Sequence, residues 1–336
     1  MSVQYFIVED LFEGKRIDNW FRHNFPYLKH NYLEKLIRTG QVRIDGSRVK
    51  SSYRLKTGEK IRVPPNLDLL KPNSTNLKKS IRLELVENVI ERILYFDENL
   101  LIINKPQGLP VQGGSKIRES LDDITDFLRL GANEKPKLVH RLDKDTGGVL
   151  LLARNTKTSV KLARMFSSKL VKKLYLGLVE SDQVNDEGII NFPLTKAKIP
   201  VYGERVVASE SGKNALTVYR KIITVKGFSL LALSPITGRT HQLRVHCAQL
   251  NMPILGDMKY GNKIIDSPFF DNTVSLQLFA RSIKIKDFEG GDLLIKAPIP
   301  EYMEKNFNNL KIKIDEKDID DLGFIKKLSS KNNLDT

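Results

Sequence analysis

Three short segments gather carboxylates, guanidiniums, imidazoles and hydroxyls among glycines: Asn104-Lys-Pro-Gln-Gly-Leu-Pro-Val-Gln-Gly-Gly-Ser115, His140-Arg-Leu-Asp-Lys-Asp-Thr-Gly-Gly148 and Pro235-Ile-Thr-Gly-Arg-Thr-His-Gln-Leu-Arg-Val-His246. The second runs straight into the apolar stretch Val149–Ala153, which puts Asp143 at the edge of a core, where function concentrates. A carboxylate there suits nucleophilic or acid–base chemistry. The first segment has the gap of a phosphate-binding loop from Gly108 to Gly113, but Gly114-Ser115 stands where Lys-Ser/Thr is needed, so a shaped turn close to a ligand is the better reading. In the third, Thr240 is expected to cap a helix whose apolar face carries Leu243 and Leu250, leaving Arg244 at the margin to reach into a cleft. Each segment alone also fits a bland role: Asp143 as a turn acceptor, Arg244 as a surface charge, His140 and His246 as satisfied core residues.

Metal chemistry is not expected. Cys247 is the only cysteine, which rules out an intramolecular disulfide and a cysteine-based zinc site, and a structural thiol is the default. His241 and His246 lie five apart and miss the four-residue spacing that stacks two imidazoles on one helical face. No apolar run approaches the ~18 to 20 residues of a membrane span. The N-terminus lacks an export signal, so a cytoplasmic protein is expected.

The elements that must position these residues fall into two parts. Ile17, Trp20 and Phe21, then Leu33, Leu36 and Ile37, recur at helical spacing, with Gly40 as a stop. Val42–Gly46 reads as a short strand with an Asp-Gly turn, and Tyr53–Val63 as an alternating hairpin before Pro64-Pro65. Of the net charge of +15, most lies here: Glu13 to Arg82 holds 17 basic and 6 acidic side chains. Such concentration points to a polyanionic partner. The residues expected to meet phosphates are Arg16, Lys29, Lys35, Arg38, Arg43, Arg48 and Lys50, with Arg22 nearby.

A polar linker is expected over residues 66–88. Beyond it, Arg92–Phe96, Leu100–Asn104, Leu174–Val179, Leu216–Ile223 and Phe228–Leu233 read as strands. Leu121–Leu130 and Thr158–Leu170 read as helices, the latter with Leu162, Met165, Phe166 and Leu170 on one face. Strands outnumber helices and are not interleaved with them, which favours an α+β fold. Residues 311–336 read as a polar tail without a core pattern.

Residues 13–65 resemble the S4 RNA-binding domain in Arg16-Ile-Asp18, Leu33–Gly40 and Val42–Gly46. His140-Arg-Leu-Asp143 and Gly238-Arg-Thr-His-Gln-Leu-Arg-Val-His246 closely resemble the signature of the RluA family of pseudouridine synthases, and Ile93-Leu-Tyr, Asn104-Lys-Pro and Gly113-Gly-Ser look most like its RluC type. Two departures are Gly147, in place of the usual serine, and Gln112, where a histidine is common. The resemblance implies a small S4-type domain followed by a catalytic domain over 89–310 with a mixed, largely antiparallel sheet. It also implies isomerisation of uridines in structured RNA, namely the 23S ribosomal RNA, by a monomer without a cofactor. It assigns catalysis to Asp143, Tyr175 and Arg244, with the guanidinium orienting the carboxylate. Arg141 is the candidate for filling the space of a flipped base, and His140, Thr146 and Leu243 are further substrate contacts. Three rivals remain: a hydrolase using Asp143 and Asp145 as a pair, an enzyme acting on transfer RNA, and a catalytically silent RNA-binding assembly factor.

Overall fold

A computed structural model describes residues 3–25, 28, 30–65, 67, 76–113, 119–200, 202–262, 267–270 and 273–331. The chain divides into two units, Met1–Ser80 and Ile81–Thr336. Among the described residues no helix is long and apolar enough to cross a membrane.

The first unit comprises β1 (Gln4–Ile7), α1 (Ile17–Asn24), α2 (His30–Arg38), β2 (Arg43–Ile44) and β3 (Lys60–Val63). The predicted helical faces are the core: Ile17, Trp20, Phe21, Leu33, Leu36 and Ile37 are all buried against Ile44, Ile61 and Val63. Gly40 ends α2 in a left-handed conformation (φ 71°), and Asp45-Gly46 makes a two-residue turn at φ 45° and 79°, the geometry this dipeptide favours. Two expectations change. Tyr53–Val63 is not a hairpin, because β3 is the centre of an antiparallel sheet in the order β1-β3-β2, and its hydrogen bonds go to those strands. The module also begins before Glu13, since Gln4–Ile7 supplies one edge.

α3 (Asn76–Ile90), which begins before the boundary at Ile81, occupies much of the expected linker, and its Val86 and Val89, three apart, are buried on one face in the second unit. Of the rest of the linker, residues 66 and 68–75 lie outside the described residues. A ten-stranded sheet follows, built from β4 (Ile93–Phe96), β5 (Leu100–Lys105), β6 (Lys137–Leu138), β7 (Gly147–Ala153), β8 (Val171–Val179), β9 (Glu187–Asn191), β12 (Leu216–Val225), β13 (Phe228–Pro235), β14 (Leu278–Phe288) and β15 (Gly291–Lys296). Its main path runs β4-β5-β7-β14-β8-β13-β12-β9, while β10 (Leu194–Ile199) and β11 (Gly203–Ala208) form a separate hairpin. The β7–β14 pair is parallel and its other ladders are antiparallel, so the sheet is mixed and largely antiparallel.

Unbroken apolar runs such as Leu100–Ile103 and Val149–Ala153 arise because both faces are covered: Leu101, Ile103, Leu150 and Leu152 enter one core, and Leu100, Ile102, Val149 and Leu151 the other. The first core also takes α6 (Gln242–Gln249) through Leu243 and Cys247. The second takes α5 (Thr156–Ser167) and α7 (Glu301–Leu310).

Three boundaries differ from expectation. Leu121–Leu130 is a short α4 (Leu121–Ile124) running into a 3-10 turn, Thr125–Leu128. α5 starts earlier and stops at Ser167, because Asn155 caps it by accepting the Thr158 N–H (2.8 Å) and Lys169 turns left-handed, leaving Leu170 exposed. Residues 311–331 are not a polar tail. They form α8 (Glu316–Asp320) and α9 (Gly323–Lys331), whose Ile319, Phe324, Ile325 and Leu328 are buried, and Asp320 accepts two bonds from Arg281 at 2.9 Å. Acidic residues masked this pattern: some of those charges pair with a buried arginine instead of facing water.

Candidate active site

Asp143 opens a turn closed by the Thr146 N–H on its carbonyl (3.1 Å). The glycine-rich loop after β5 holds that turn in place. Lys105, 1% exposed, gives its ammonium to the carbonyls of Pro106, Leu109 and Lys144 at 2.9, 2.8 and 3.1 Å. The Gln107 amide donates to the Asp145 carbonyl (2.8 Å) and the Gly108 N–H to that of Lys144 (2.9 Å). Burial pushes the Lys105 ammonium down to about 7, partly opposed by Asp145 and Asp143. The first segment is thus scaffold for the carboxylate loop; its Gly114 and Ser115 lie outside the described residues.

The third segment is a strand end feeding α6, and its residues divide by helical face. Gln242 staples the start of the helix: its amide donates to the Leu216 carbonyl and Thr217 Oγ1, and its Oε1 accepts from Thr237 Oγ1 and the Arg239 N–H. His246, fully buried, joins Thr217 Oγ1 (3.0 Å) and the Phe192 carbonyl (3.1 Å). Cys247 is buried, and burial pushes its thiol up to about 12, consistent with a structural role. Thr240 does not cap the helix. The residue at that position is His241, in a left-handed conformation (φ 54°) and without a capping bond.

That conformation points the His241 imidazole at Asp143, with Nε2 3.9 Å from Oδ1. Its Nδ1 lies 2.7 Å from the Tyr260 hydroxyl, which itself accepts the Val206 N–H. Burial lowers the His241 pKa, opposed by Asp143.

Arg244 lies one turn on, 7% exposed. Its Nε and Nη2 bond Asp257 at 2.7 and 2.6 Å, while Nη1 stands 3.7 Å from Asp143 Oδ2. The guanidinium also covers the Tyr260 ring at 5.2 Å. Asp257 is fixed in turn by the N–H groups of Lys259 and Tyr260 (2.9 and 3.0 Å).

These side chains open onto a cavity of about 560 Å³. Arg141, Asp143, Thr146, Tyr175, Leu243 and Arg244 all line it, and Asp143 is its one carboxylate among the described residues. Tyr175 is carried by β8 on the face that packs α6, and burial, then the charge of Asp143, raises its phenol above the ordinary range. Arg141 is exposed at the rim. His140 lines the cavity too, but its Nε2 accepts the Leu151 N–H (2.9 Å) and its ring lies against Phe166, so the strand holds it. Burial, with help from Lys173, pushes it down to about 3. Thr146 is buried, and its Oγ1 has no hydrogen-bond partner among the described residues.

In the first unit, Lys35, Arg38 and Lys50 converge on one groove. Arg16 pairs with Asp18 (2.9 Å), Arg43 binds the carbonyls of Gly40 and Gly46, and Arg48 lies against Gly40. Lys29 lies outside the described residues. Among the described residues no cluster of His, Cys, Asp or Glu is arranged to hold a metal ion.

Sequence reasoning missed Lys105, His241, Tyr260 and Asp257. The signal for the last two was Gly256-Asp-Met-Lys-Tyr-Gly261, a carboxylate and a phenol between glycines; Gly256 has φ 74° and no room for a Cβ beside the Ser275 carbonyl.

Residues 99–249 match the family model described as RNA pseudouridylate synthase, and residues 30–61 that of the S4 domain. The chain is 35% identical over 309 residues to the ribosomal large subunit pseudouridine synthase C of Buchnera aphidicola subsp. Schizaphis graminum, covering 91% of this chain and 96% of that one. The protein of the same name from Vibrio parahaemolyticus is 32% identical over 308 residues, covering 90% and 95%. Among solved structures, human RNA Pseudouridylate Synthase Domain Containing 4 superposes with a TM-score of 0.62 at 26% identity, over 70% of this chain and 99% of that one.

Proposed function

Because the chain belongs to the RNA pseudouridylate synthase family, we propose that it converts uridine to pseudouridine in large-subunit ribosomal RNA, with Asp143 as the acting carboxylate. The observation that carries this reading is the convergence of Asp143, Tyr175 and Arg244, from three separate segments, on one cavity. The substrate follows from relatives named for the large ribosomal subunit that align over nine-tenths of the chain.

Isomerisation breaks the N1–C1′ bond, turns the base and joins C5 to C1′, while the proton on C5 is lost and N1 gains one. Nothing is oxidised or hydrolysed, so one site must keep hold of both fragments. Asp143 acts at the sugar–base junction as nucleophile or base. Arg244, immobilised by Asp257, orients it without sitting in contact with it. Tyr175, protonated at neutral pH, offers its ring for stacking and its hydroxyl as a donor. Reaching the cavity requires flipping the nucleotide, at a few kcal/mol, and exposed Arg141 fills the gap in the helix. Leu243 packs on the base, and Thr146 and His140 shape the wall.

The basic first unit supplies phosphate attraction through Lys35, Arg38 and Lys50. The same reading puts the protein in the cytoplasm with its ribosomal RNA substrate, and makes it a monomer, since one chain furnishes every group named in the cavity. Its test is tritium release to water from uridine C5 in unmodified ribosomal RNA. Release without free uracil supports the reading, and free uracil means hydrolysis. Activity confined to transfer RNA overturns the choice of substrate.

A further inference from the structure

Lys173 is a cation in the cavity wall that the chemistry above does not use. It lies two residues before Tyr175 on β8, and the two-residue period of the strand turns both side chains to the same face. Among the described residues no carboxylate bears on it: burial is the one influence on its ammonium, pushing it down to about 8. Its Nζ lies against Gly238, 3.9 Å from where a Cβ would stand. The next residue, Arg239, lines the same cavity and is anchored by its Nε on the Asn214 carbonyl (2.9 Å).

An ammonium taken from water without a counter-charge is costly, and proteins keep such groups where a ligand supplies the charge. Asp143 does not do so: it faces Arg244 and His241 at 3.7 and 3.9 Å and exerts no pull on the Lys173 ammonium. The anion nearest any flipped nucleotide is its own backbone. We propose that Lys173 and Arg239 form a phosphate subsite that grips one phosphodiester next to the target uridine, fixing the sugar relative to Asp143. Gly238 keeps the wall between them low enough for the phosphate to approach both cations. The subsite rests on the proposed function, since its ligand is the RNA that carries the target.

The test is a cycle between the side chain and the phosphate. A target RNA fragment is made with one uncharged methylphosphonate linkage, placed in turn at each position flanking the uridine, and assayed with wild type, Lys173→Met and Lys173→Arg. Loss of one charge-assisted contact is expected to raise KM about tenfold in Lys173→Met, with kcat little changed and Lys173→Arg near wild type. At one linkage the methylphosphonate raises the wild-type KM by at least that factor but penalises Lys173→Met clearly less, since only the Arg239 contact is then left to lose. Penalties that multiply at every linkage overturn the subsite, as does a fall in kcat at constant KM. Removing an unpaired, half-buried charge also leaves the melting temperature equal or higher, and a marked drop would make Lys173 a structural residue. Should wild type bind the RNA without forming pseudouridine, the function falls, and the same cycle read in Kd still decides the subsite.

Discussion

Arg244 is held by Asp257, not by Asp143: two bonds of 2.7 and 2.6 Å join it to the former, while the latter stands 3.7 Å from its free nitrogen. The guanidinium is thus set in place independently of Asp143. Since both partners are buried, Asp257→Ala strands the guanidinium and is expected to cost about 3–5 kcal/mol of stability. Asp257→Asn keeps the volume but frees Arg244 to collapse onto Asp143, so kcat falls at least tenfold while KM changes little. Denaturant titration and single-turnover kinetics check the two variants.

Three imidazoles, His140, His241 and His246, have pKa values lowered chiefly by burial. Folded protein keeps them neutral, whereas the unfolded chain takes up protons near pH 6.5. Their contribution is therefore complete above about pH 6.5 and is lost as pH falls, for His140 toward its folded value of about 3. Unfolding free energies between pH 7 and 4.5 should fall more steeply for wild type than for His140→Gln; coincident slopes would mean that His140 charges in the folded state.

Gly148 lies at φ 112°, and a Cβ there would come within 2.2 Å of the Ala280 carbonyl on β14. Gly148→Ala should therefore push apart the parallel pair that anchors the Asp143 loop, lowering stability by about 3 kcal/mol or more. A melting temperature unchanged from wild type would contradict this.

Arg281, 2% exposed, depends on Asp320 in α8. Truncation after Leu310 removes that partner and uncovers the core packed by Phe324, Ile325 and Leu328. The shortened protein should melt at least several degrees lower and bind hydrophobic dyes, whereas a dispensable tail would leave both measurements unchanged.

Much of this architecture was legible in the sequence because periodicity reports burial directly. Strand cores such as Val149–Ala153 and helix faces such as Leu33, Leu36 and Ile37 stand where their pattern puts them. Asp143, Tyr175 and Arg244 were legible as motif residues. Their supports were not, because Asp257 and Tyr260 come from a distant turn and His241 acts through a backbone conformation that spacing does not encode. The glycine at 147 illustrates the same limit. Its φ is not in the left-handed region, a Cβ there would come 3.2 Å from the Lys105 carbonyl, and the adjoining turn is held by Lys105, Gln107 and Gly108. The conformational freedom that glycine offers is used one residue later, at Gly148.

The central claim is that the Asp143 carboxylate performs the isomerisation. Asp143→Asn keeps the size of the side chain and removes its charge, so the variant should fold, bind ribosomal RNA as wild type does, and release tritium from uridine C5 at less than about a thousandth of the wild-type rate. Pseudouridine formation by Asp143→Asn within tenfold of wild type would contradict it.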